Sequence, residues 1–270
     1  MVIAVSRNDR LPGNGGKGVR IGAVCYLNAR PLTFAVSRFL PEARMHFDLP
    51  SRLADDLAAG RLDVALVPSI EHARHPDYRI LSDACVACHG PVQSIRLYGR
   101  VAPEEIRSLA LDEGSRTSAV LTRVLLKEQL GIEPVVEPLP IGSTIEQSAA
   151  DAVMLIGDRA MRPADGQYAF VWDLGERWTA WTGLPMVFAL WLSPGERELP
   201  GLERGLAAAR DEGLRRLSEI ARQEAPKVGI SEADCLAYLR DHILFRLDER
   251  ARRGLQRFYE LASRHGLVSR

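Results

Sequence analysis

Three short apolar strands separated by two helices fill the first quarter of the chain, and they restrict its fold more than any other feature. The strands are predicted at 19–24, 45–49 and 62–67, and the helices at 31–39 and 52–59. This order implies parallel pairing of the strands with right-handed crossovers. The third strand, Leu-Asp-Val-Ala-Leu-Val, is apolar enough to be buried on both faces. The sequence therefore predicts an α/β fold.

The remainder of the chain continues the mixed pattern and then becomes helical. Further strands are predicted at 84–87, 92–98, 108–111, 134–140, 152–156 and 186–192, and a helix at 145–150. The pair Trp178 and Trp181 has the spacing of one helical turn, which is more typical of a core than of a cofactor platform. After Gly195, helices are predicted at 202–221, 231–247 and 249–265, each with an apolar stripe and a charged outer face.

Polar residues stand where several of these strands end. Asn28 follows the first strand and Ser69 the third, and ligands of open α/β sheets bind at the carboxyl ends of strands. Asn28 could equally shape its own turn. Ser94 places a hydroxyl inside an apolar strand, facing either a ligand or a backbone carbonyl. Gly157 and Asp158 end the strand at 152–156, and Asp158 either caps the next helix or faces a cleft.

The segment Gly114-Ser115-Arg116-Thr117-Ser118 joins a short strand to a helix with apolar residues at helical spacing. Ser115 is a suitable N-cap, and the first turn offers free N–H groups, hydroxyls and a guanidinium. Such a turn can bind an anion, and without a Gly-x-x-x-x-Gly-Lys pattern a small carboxylate suits it better than a triphosphate. The alternative is an ordinary capped helix.

Composition excludes some classes of partner. The 270 residues carry 35 Lys plus Arg and 35 Asp plus Glu, so charge indicates neither nucleic acid nor an acidic membrane surface. No apolar run approaches the roughly 20 residues of a membrane span. Residues 1–18 are interpreted as a flexible leader whose apolar start is shorter than a signal-peptide core. The protein is expected to be cytoplasmic.

The four cysteines are interpreted as packing residues. Cys85-Val-Ala-Cys88-His89 formally matches a haem-attachment pattern or half a zinc site. Haem attachment requires export, and a zinc site requires two further ligands, but there is no second Cys-x-x-Cys. The surrounding residues read as a buried strand, in which Cys acts as a small hydrophobe. Neither a metal nor a cofactor is expected.

Several segments together resemble one family, the chorismate dehydratases of the futalosine route to menaquinone. The resemblance covers about residues 19–191. It is most specific in Ser115-Arg116-Thr117-Ser118 and in residues 178–187. The other matching blocks are Tyr26-Leu27-Asn28 with Pro31, 62–68, Gly90-Pro91-Val92 with Ser94, and 155–158. It implies a two-lobed fold of the type II periplasmic-binding-protein kind with a C-terminal helical segment. Lobe one would comprise 19–98 and 186–270, and lobe two 99–185, with crossing strands at 92–98 and 186–192.

The resemblance also implies the chemistry, which is loss of water from chorismate to give 3-[(1-carboxyvinyl)oxy]benzoate without a cofactor. The substrate would contact Asn28, Ser69, Ser94, Ser115, Arg116, Thr117, Ser118 and Gly157. Asn, Ser and Thr orient a ligand but are poor bases. The base is thus either Asp158 or, as we favour, the enolpyruvyl carboxylate of the substrate, with Asn28 orienting it.

Two alternatives stay open at this point. One is an enzyme like 1,4-dihydroxy-6-naphthoate synthase, which acts later in the same pathway but begins with a different, Cys-Pro-Asn-Asp-like loop. The other is a non-catalytic solute-binding protein for a small carboxylate, since fold alone does not separate the two classes. A monomer or a homodimer is expected.

Overall fold

A computed structural model of the chain describes residues 18–162, 166–195 and 199–268. The predicted leader, residues 1–18, lies outside these ranges except for Gly18. In chain order the strands are β1 (Arg20–Val24), β2 (Arg44–Asp48), β3 (Val64–Pro68), β4 (Tyr78–Cys88), β5 (Ile95–Gly99), β6 (Ser108–Asp112), β7 (Val135–Leu139), β8 (Ala152–Ile156), β9 (Phe170–Asp173), β10 (Met186–Pro194) and β11 (Leu244–Arg246).

Helices connect these strands and form the C-terminal segment. They are α1 (Arg30–Thr33), α2 (Val36–Phe39), α3 (Pro50–Ala58), α4 (Ile70–Arg74), α5 (Arg116–Leu130), α6 (Leu174–Thr182), α7 (Leu202–Arg215), α8 (Leu217–Val228), α9 (Glu232–Ala237) and α10 (Glu249–Arg264). Short 3-10 turns occur at Leu27–Ala29, Pro103–Glu105, Ile145–Gln147 and Asp158–Met161, and a π-helical turn at Tyr238–His242.

The first sheet has six strands in the order β11-β4-β10-β3-β1-β2. β1 pairs in parallel with both β2 and β3, which confirms the predicted parallel unit. β10 returns from the far part of the chain and pairs antiparallel with β3 and β4. The carboxyl ends of β1 and β3 therefore meet at one edge, which brings the loops containing Asn28 and Ser69 together.

The second sheet has five strands in the order β7-β6-β8-β5-β9. β6 pairs in parallel with β7 and β8, whereas β5 runs antiparallel to β8 and β9. The carboxyl ends of β6 and β8 carry Ser115 and Gly157, respectively. β5 belongs wholly to this second sheet, so the predicted lobe boundary between residues 98 and 99 falls inside a strand.

Several predicted elements have different limits in the structure. The helix at 31–39 is interrupted at residues 34 and 35, and the helix at 145–150 is a single 3-10 turn closed by a Thr144 and Gln147 capping box. Ser94 precedes β5 instead of lying inside it. The helix predicted at 202–221 is divided at Arg216 into α7 and α8.

The largest error concerns the helix predicted at 231–247. It is α9, a π-helical turn and the short strand β11, which pairs antiparallel with β4. The apolar residues at 244–247 have helical spacing, which led to the wrong prediction. They form a strand because the open edge of β4 offers backbone hydrogen-bond partners, and this pairing outweighs the local preference for a helix.

Two interpretations of the core are confirmed. Trp178 is fully buried, donates its ring N–H to the Pro185 carbonyl at 3.2 Å, and meets Trp181 edge-to-face at 5.9 Å. Cys85 and Cys88 are fully buried in β4, where burial raises the pKa of both thiols. Trp178 and the two cysteines therefore belong to the packed core, whereas Trp181 is 36% exposed.

The part of the chain that the structure describes contains neither a membrane-spanning helix nor a metal-binding cluster. No helix in it has the length and apolar character needed to cross a membrane. Within the same ranges no three His, Cys, Asp or Glu side chains are grouped so that they could hold a metal ion.

Candidate active site

The candidate site is built from loops at the carboxyl ends of strands in both sheets. The first of these loops follows β1 and contains Tyr26, Leu27 and Asn28, which enter a 3-10 turn that leads into α1. Leu27 is buried and anchors the turn in the core, whereas Asn28 is only half-buried. The local sequence thus holds the Asn28 amide at the sheet edge without removing it from solvent.

Ser69 and Thr117, both predicted ligands, meet where the two sheets approach each other. Their hydroxyl oxygens are 3.3 Å apart, Ser69 Oγ donates to the Val187 carbonyl at 2.7 Å, and Thr117 Oγ1 accepts from the Ile70 N–H at 3.2 Å. Both residues are completely buried. In this structure these hydroxyls connect the start of α5 to the end of β3.

The predicted N-cap of α5 is confirmed. Ser115 Oγ accepts the Ser118 N–H at 3.2 Å and donates to Ser118 Oγ at 2.9 Å, which leaves the Ser118 O–H to donate elsewhere. The first-turn amides of a helix have no intrahelical acceptor, and the helix dipole adds positive potential there. This turn has the groups that a carboxylate needs.

Arg116 is bound to carboxylates of the protein itself. Its guanidinium forms ion pairs with Asp55 at 2.5 Å and Glu71 at 3.4 Å. These partners lie on α3 and α4, which pack with the first sheet, whereas Arg116 begins a helix of the second sheet. The ion pairs therefore link the two halves of the site.

Asp158 extends from the second sheet to the loop after β1. Its Oδ1 accepts the Leu27 N–H at 3.0 Å, so it faces the loop after β1. Burial raises the pKa of Asp158 to about 6, against the opposing effect of the Leu27 hydrogen bond. The Asp158 carboxylate is therefore bound to the backbone of Leu27, the residue before Asn28, and it changes protonation close to neutral pH.

Gly157, the residue before Asp158, allows this close approach. Its φ of +76° suits glycine, and a Cβ at this position would lie 2.6 Å from the Tyr26 ring. The Tyr26 ring therefore packs directly on the backbone that follows β8. Gly157 contributes space to the site, and no side chain could replace it without moving Tyr26.

Sequence reasoning missed two buried polar residues behind these loops. Asp112, at the end of β6, accepts the N–H groups of Gly114 at 2.9 Å and Ile156 at 3.2 Å and forms an ion pair with Arg159. Tyr238 donates to Ser94 Oγ at 2.9 Å. A carboxylate at a strand end was a visible signal for Asp112, but nothing local marked Tyr238.

The predicted site residues offer amides, hydroxyls, the Arg116 guanidinium and the Asp158 carboxyl group for chemistry. Burial raises the pKa of the Cys25 thiol to about 11, so it stays protonated at neutral pH and is a poor nucleophile. The arrangement can bind a small anionic molecule, orient it and exclude water. Proton transfer by the protein would fall to Asp158.

Asp158→Asn is expected to stabilise the fold at pH 7.5 by about 1–2 kcal/mol and to have little effect at pH 4. The native carboxyl binds its proton more tightly than the unfolded one, so its contribution to stability falls as pH rises from about 4 to about 6. Denaturant unfolding at both pH values measures the difference.

Asp151→Asn provides a control of opposite sign. Hydrogen bonds from the backbone N–H groups of Arg107 and Ser108 lower the pKa of Asp151. That variant should therefore lose stability at pH 7.5 relative to wild type, and the loss should vanish in acid below the usual pKa of aspartate. An Asp158→Asn effect that is equal at both pH values would contradict the prediction.

Comparison with known proteins adds a family and a fold. The model of the menaquinone biosynthesis family matches residues 19–264. Chorismate dehydratase from Thermus thermophilus is 33% identical over 258 residues, which is 89% of this chain and 93% of that protein. The family match includes every predicted site residue.

Solved structures share the architecture at low identity. Protein AF1704 from Archaeoglobus fulgidus aligns with a TM-score of 0.73 at 17% identity, covering 93% of this chain and 98% of that one. The periplasmic aliphatic sulphonate binding protein SsuA from Escherichia coli aligns with a TM-score of 0.58 at 16% identity, covering 95% of each chain. The expected periplasmic-binding-protein-like α/β fold with C-terminal helices is confirmed.

Proposed function

The chain belongs to the menaquinone biosynthesis family, and from this premise we propose that it dehydrates chorismate to 3-[(1-carboxyvinyl)oxy]benzoate in the futalosine pathway to menaquinone. Two contacts between the sheets of a binding-protein fold carry the proposal. Asp158 accepts the N–H of Leu27, the residue before Asn28, and Thr117 in the first turn of α5 contacts Ser69 after β3. The amides and hydroxyls on these elements are groups that bind the carboxylates of a small dicarboxylate, which supports the proposal.

We assign the two sheets to two lobes with the substrate between them. With β5 kept in its own sheet, lobe one comprises 19–94 and 186–270, lobe two comprises 95–185, and the connecting segments lie near Ser94 and Pro185. The contacts of Asp158 with Leu27 and of Arg116 with Asp55 and Glu71 then join the lobes. These contacts are those of a closed arrangement, and closure over the substrate would exclude water from the site.

The substrate carboxylates fit the polar groups of the site. The first-turn amides of α5, with the Ser115 and Ser118 hydroxyls, bind the ring carboxylate, which conjugates with the carbanion formed at C3. Arg116 contributes positive charge at this turn and holds the lobes together. Ser69, Ser94, Thr117 and Gly157 shape the remaining walls of the site.

In the elimination the C3 proton and the C4 hydroxyl leave as one water molecule, and the ring becomes aromatic. No oxidant, reductant or cofactor is needed for this balance. The enolpyruvyl carboxylate of the substrate takes the C3 proton, while Asn28 orients that carboxylate or the departing hydroxyl. Asp158 holds the loop that contains Asn28 by accepting the Leu27 N–H. This role needs a hydrogen-bond acceptor but does not need a proton that can be transferred.

Asp158→Asn is therefore expected to keep kcat within about fivefold of wild type, because the asparagine Oδ1 still accepts the Leu27 N–H. Steady-state kinetics with chorismate, at a saturating concentration verified for each variant, measure the effect. A fall of about 100-fold or more with chorismate binding intact would contradict the substrate-carboxylate mechanism and assign the proton transfer to Asp158.

The proposal is tested by mixing the purified protein with chorismate, without added cofactor, and separating the products by chromatography. Enzyme-dependent appearance of 3-[(1-carboxyvinyl)oxy]benzoate is expected. Recovery of bound but unchanged chorismate would instead support a solute-binding protein. Failure with chorismate but activity on the later intermediate of the pathway would support a 1,4-dihydroxy-6-naphthoate synthase-like enzyme.

We further propose that the protein acts in the cytoplasm as a monomer or homodimer. The cysteines Cys25, Cys85, Cys88 and Cys235 are free thiols, which is usual for a reducing compartment. Cell fractionation tests the compartment, and light scattering with size-exclusion chromatography tests the oligomeric state.

A further inference from the structure

Tyr26 lies on the loop after β1, but its side chain packs against the second sheet. A Cβ added at Gly157, directly after β8, would lie 2.6 Å from Cε1 and 2.7 Å from Cζ of the Tyr26 ring. A Cβ added at Gly114, in the loop after β6, would lie 3.4 Å from the Tyr26 hydroxyl oxygen. The ring therefore occupies a slot, here called the glycine slot, that Gly114 and Gly157 leave open at the carboxyl ends of two strands.

Backbone hydrogen bonds from the first sheet hold both sides of the glycine slot. The Leu27 N–H, next to Tyr26 in the chain, donates to Asp158 at 3.0 Å on the side of β8. The Ser51 N–H, in the first turn of α3, donates to the Gly114 carbonyl at 3.2 Å on the side of β6. The position of the Tyr26 ring between the two sheets is consequently fixed from both sides.

The Tyr26 hydroxyl is not used by the fold. It has no hydrogen-bond partner among the residues that the structure describes, and it is not sealed from solvent. The carboxylate of Asp112 is already occupied, because its Oδ1 accepts the Gly114 N–H at 2.9 Å. Its Oδ2 accepts the Ile156 N–H at 3.2 Å and forms the ion pair with Arg159. The Tyr26 O–H is therefore available to a ligand.

The surroundings keep this hydroxyl in its protonated form. Burial raises the pKa of Tyr26, and the negative charge of Asp112 acts in the same direction. At neutral pH the side chain is thus a phenol with one proton to donate. A hydrogen bond from such a donor to an anionic oxygen is charge-assisted and stronger than one between neutral groups.

The hydroxyl stands beside the turn to which we assign the ring carboxylate of chorismate, because Gly114 directly precedes Ser115, the N-cap of α5. From this geometry we infer that Tyr26 is a substrate-contacting residue whose hydroxyl donates a hydrogen bond to that ring carboxylate; this inference rests on the proposed function. Negative charge spreads onto the ring carboxylate as the C3 proton leaves. The hydrogen bond therefore strengthens in the transition state and contributes to kcat.

The first test is Tyr26→Phe, which keeps the ring in the glycine slot and removes only the hydroxyl. We expect kcat for chorismate to fall about 10- to 100-fold in steady-state kinetics. The urea unfolding midpoint should stay at the wild-type value, because no hydrogen bond within the described part of the chain is lost. Wild-type kinetics would overturn the inference. A lowered midpoint would show that the hydroxyl supports the fold, and it would overturn the inference as well.

A binding experiment identifies the group that the hydroxyl contacts. The two ligands are the product, 3-[(1-carboxyvinyl)oxy]benzoate, and 2-phenoxyacrylate, which is the product without its ring carboxylate. In calorimetric titrations Tyr26→Phe should weaken binding of the product about 10-fold and change binding of 2-phenoxyacrylate less than about twofold. Equal weakening for both ligands, or unchanged binding of the product, would contradict a hydrogen bond to the ring carboxylate.

Tyr78→Phe is the matched control. Tyr78 is a buried tyrosine at the start of β4, paired with Pro194, and it stands at the opposite end of the first sheet from Ser69. This variant should keep the kcat and the product affinity of wild type. Equal losses in both tyrosine variants would show a general effect of removing a tyrosine hydroxyl and would contradict the inference.

The proposed function fails separately from this inference. A wild-type protein that leaves chorismate unchanged would contradict the proposed function and the role of Tyr26 with it. An active wild type whose Tyr26→Phe variant is equally active would contradict the inference alone.

Discussion

Replacing Asn28 by alanine is expected to lower kcat for chorismate dehydration by roughly 100- to 1000-fold, equivalent to about 3–4 kcal/mol of transition-state stabilisation. The Asn28 side chain follows β1 in a 3-10 turn, and its amide offers both donors and an acceptor to the reacting groups. Its side chain is half-buried in a loop and belongs to neither hydrophobic core, so stability should change little. Product formation and thermal unfolding measure the two quantities.

Asn28→Asp is the matched variant, because it keeps the shape of the side chain and replaces donor groups with negative charge. We expect turnover to be lost as in Asn28→Ala and chorismate binding to weaken further, since like charges repel in a partly buried site. Calorimetric titration with chorismate measures the binding. An Asn28→Ala enzyme that retains kcat within about fivefold of wild type would contradict the role given to this residue.

Gly157→Ala is expected to reduce stability by about 2–4 kcal/mol and kcat/KM by at least about 10-fold. The new Cβ would sit at φ +76° and 2.6 Å from the Tyr26 ring, so the ring must move. Tyr26 begins the loop that carries Asn28 two residues later, and its displacement changes the catalytic geometry. Urea unfolding and steady-state kinetics give the two numbers.

Gly142→Ala separates the backbone cost from the contact with Tyr26. Gly142 has a comparable φ of +89°, but no atom lies within 4 Å of its would-be Cβ. This variant should lose about 1–2 kcal/mol from the strained backbone alone and keep full activity. Equal losses of stability and activity in both variants would show that packing on Tyr26 is unimportant.

The elements that could be predicted are those whose cause lies within a short stretch of chain. β1, β2 and β3 were identified from apolar runs, and their parallel pairing follows from the intervening helices. The Ser115 cap of α5 depends on atoms three residues apart and appears as predicted. Asn28, Gly157 and Asp158 were singled out because they follow strands, which requires no knowledge of the opposite sheet.

Elements that depend on distant partners could not be predicted. β11 forms because β4 offers an open edge, a condition set by residues far away in the chain. Ser94 and Tyr238 are 144 residues apart, and their hydrogen bond exists only because the tertiary fold brings the π-helical turn to the loop before β5. The Arg116 guanidinium was expected to bind substrate, yet its ion pairs are with Asp55 and Glu71.

The sequence by itself determined the α/β class, the polar residues at strand ends and the resemblance that identified the family. Local periodicity and capping are sufficient for the first two, because they act over a few residues. Only the tertiary structure decided which of these residues meet, as in the contact of Asp158 with the Leu27 N–H. The packing of both sheets sets hydrogen-bond geometry to within ångströms. The spacing of residues along the sequence does not give these distances.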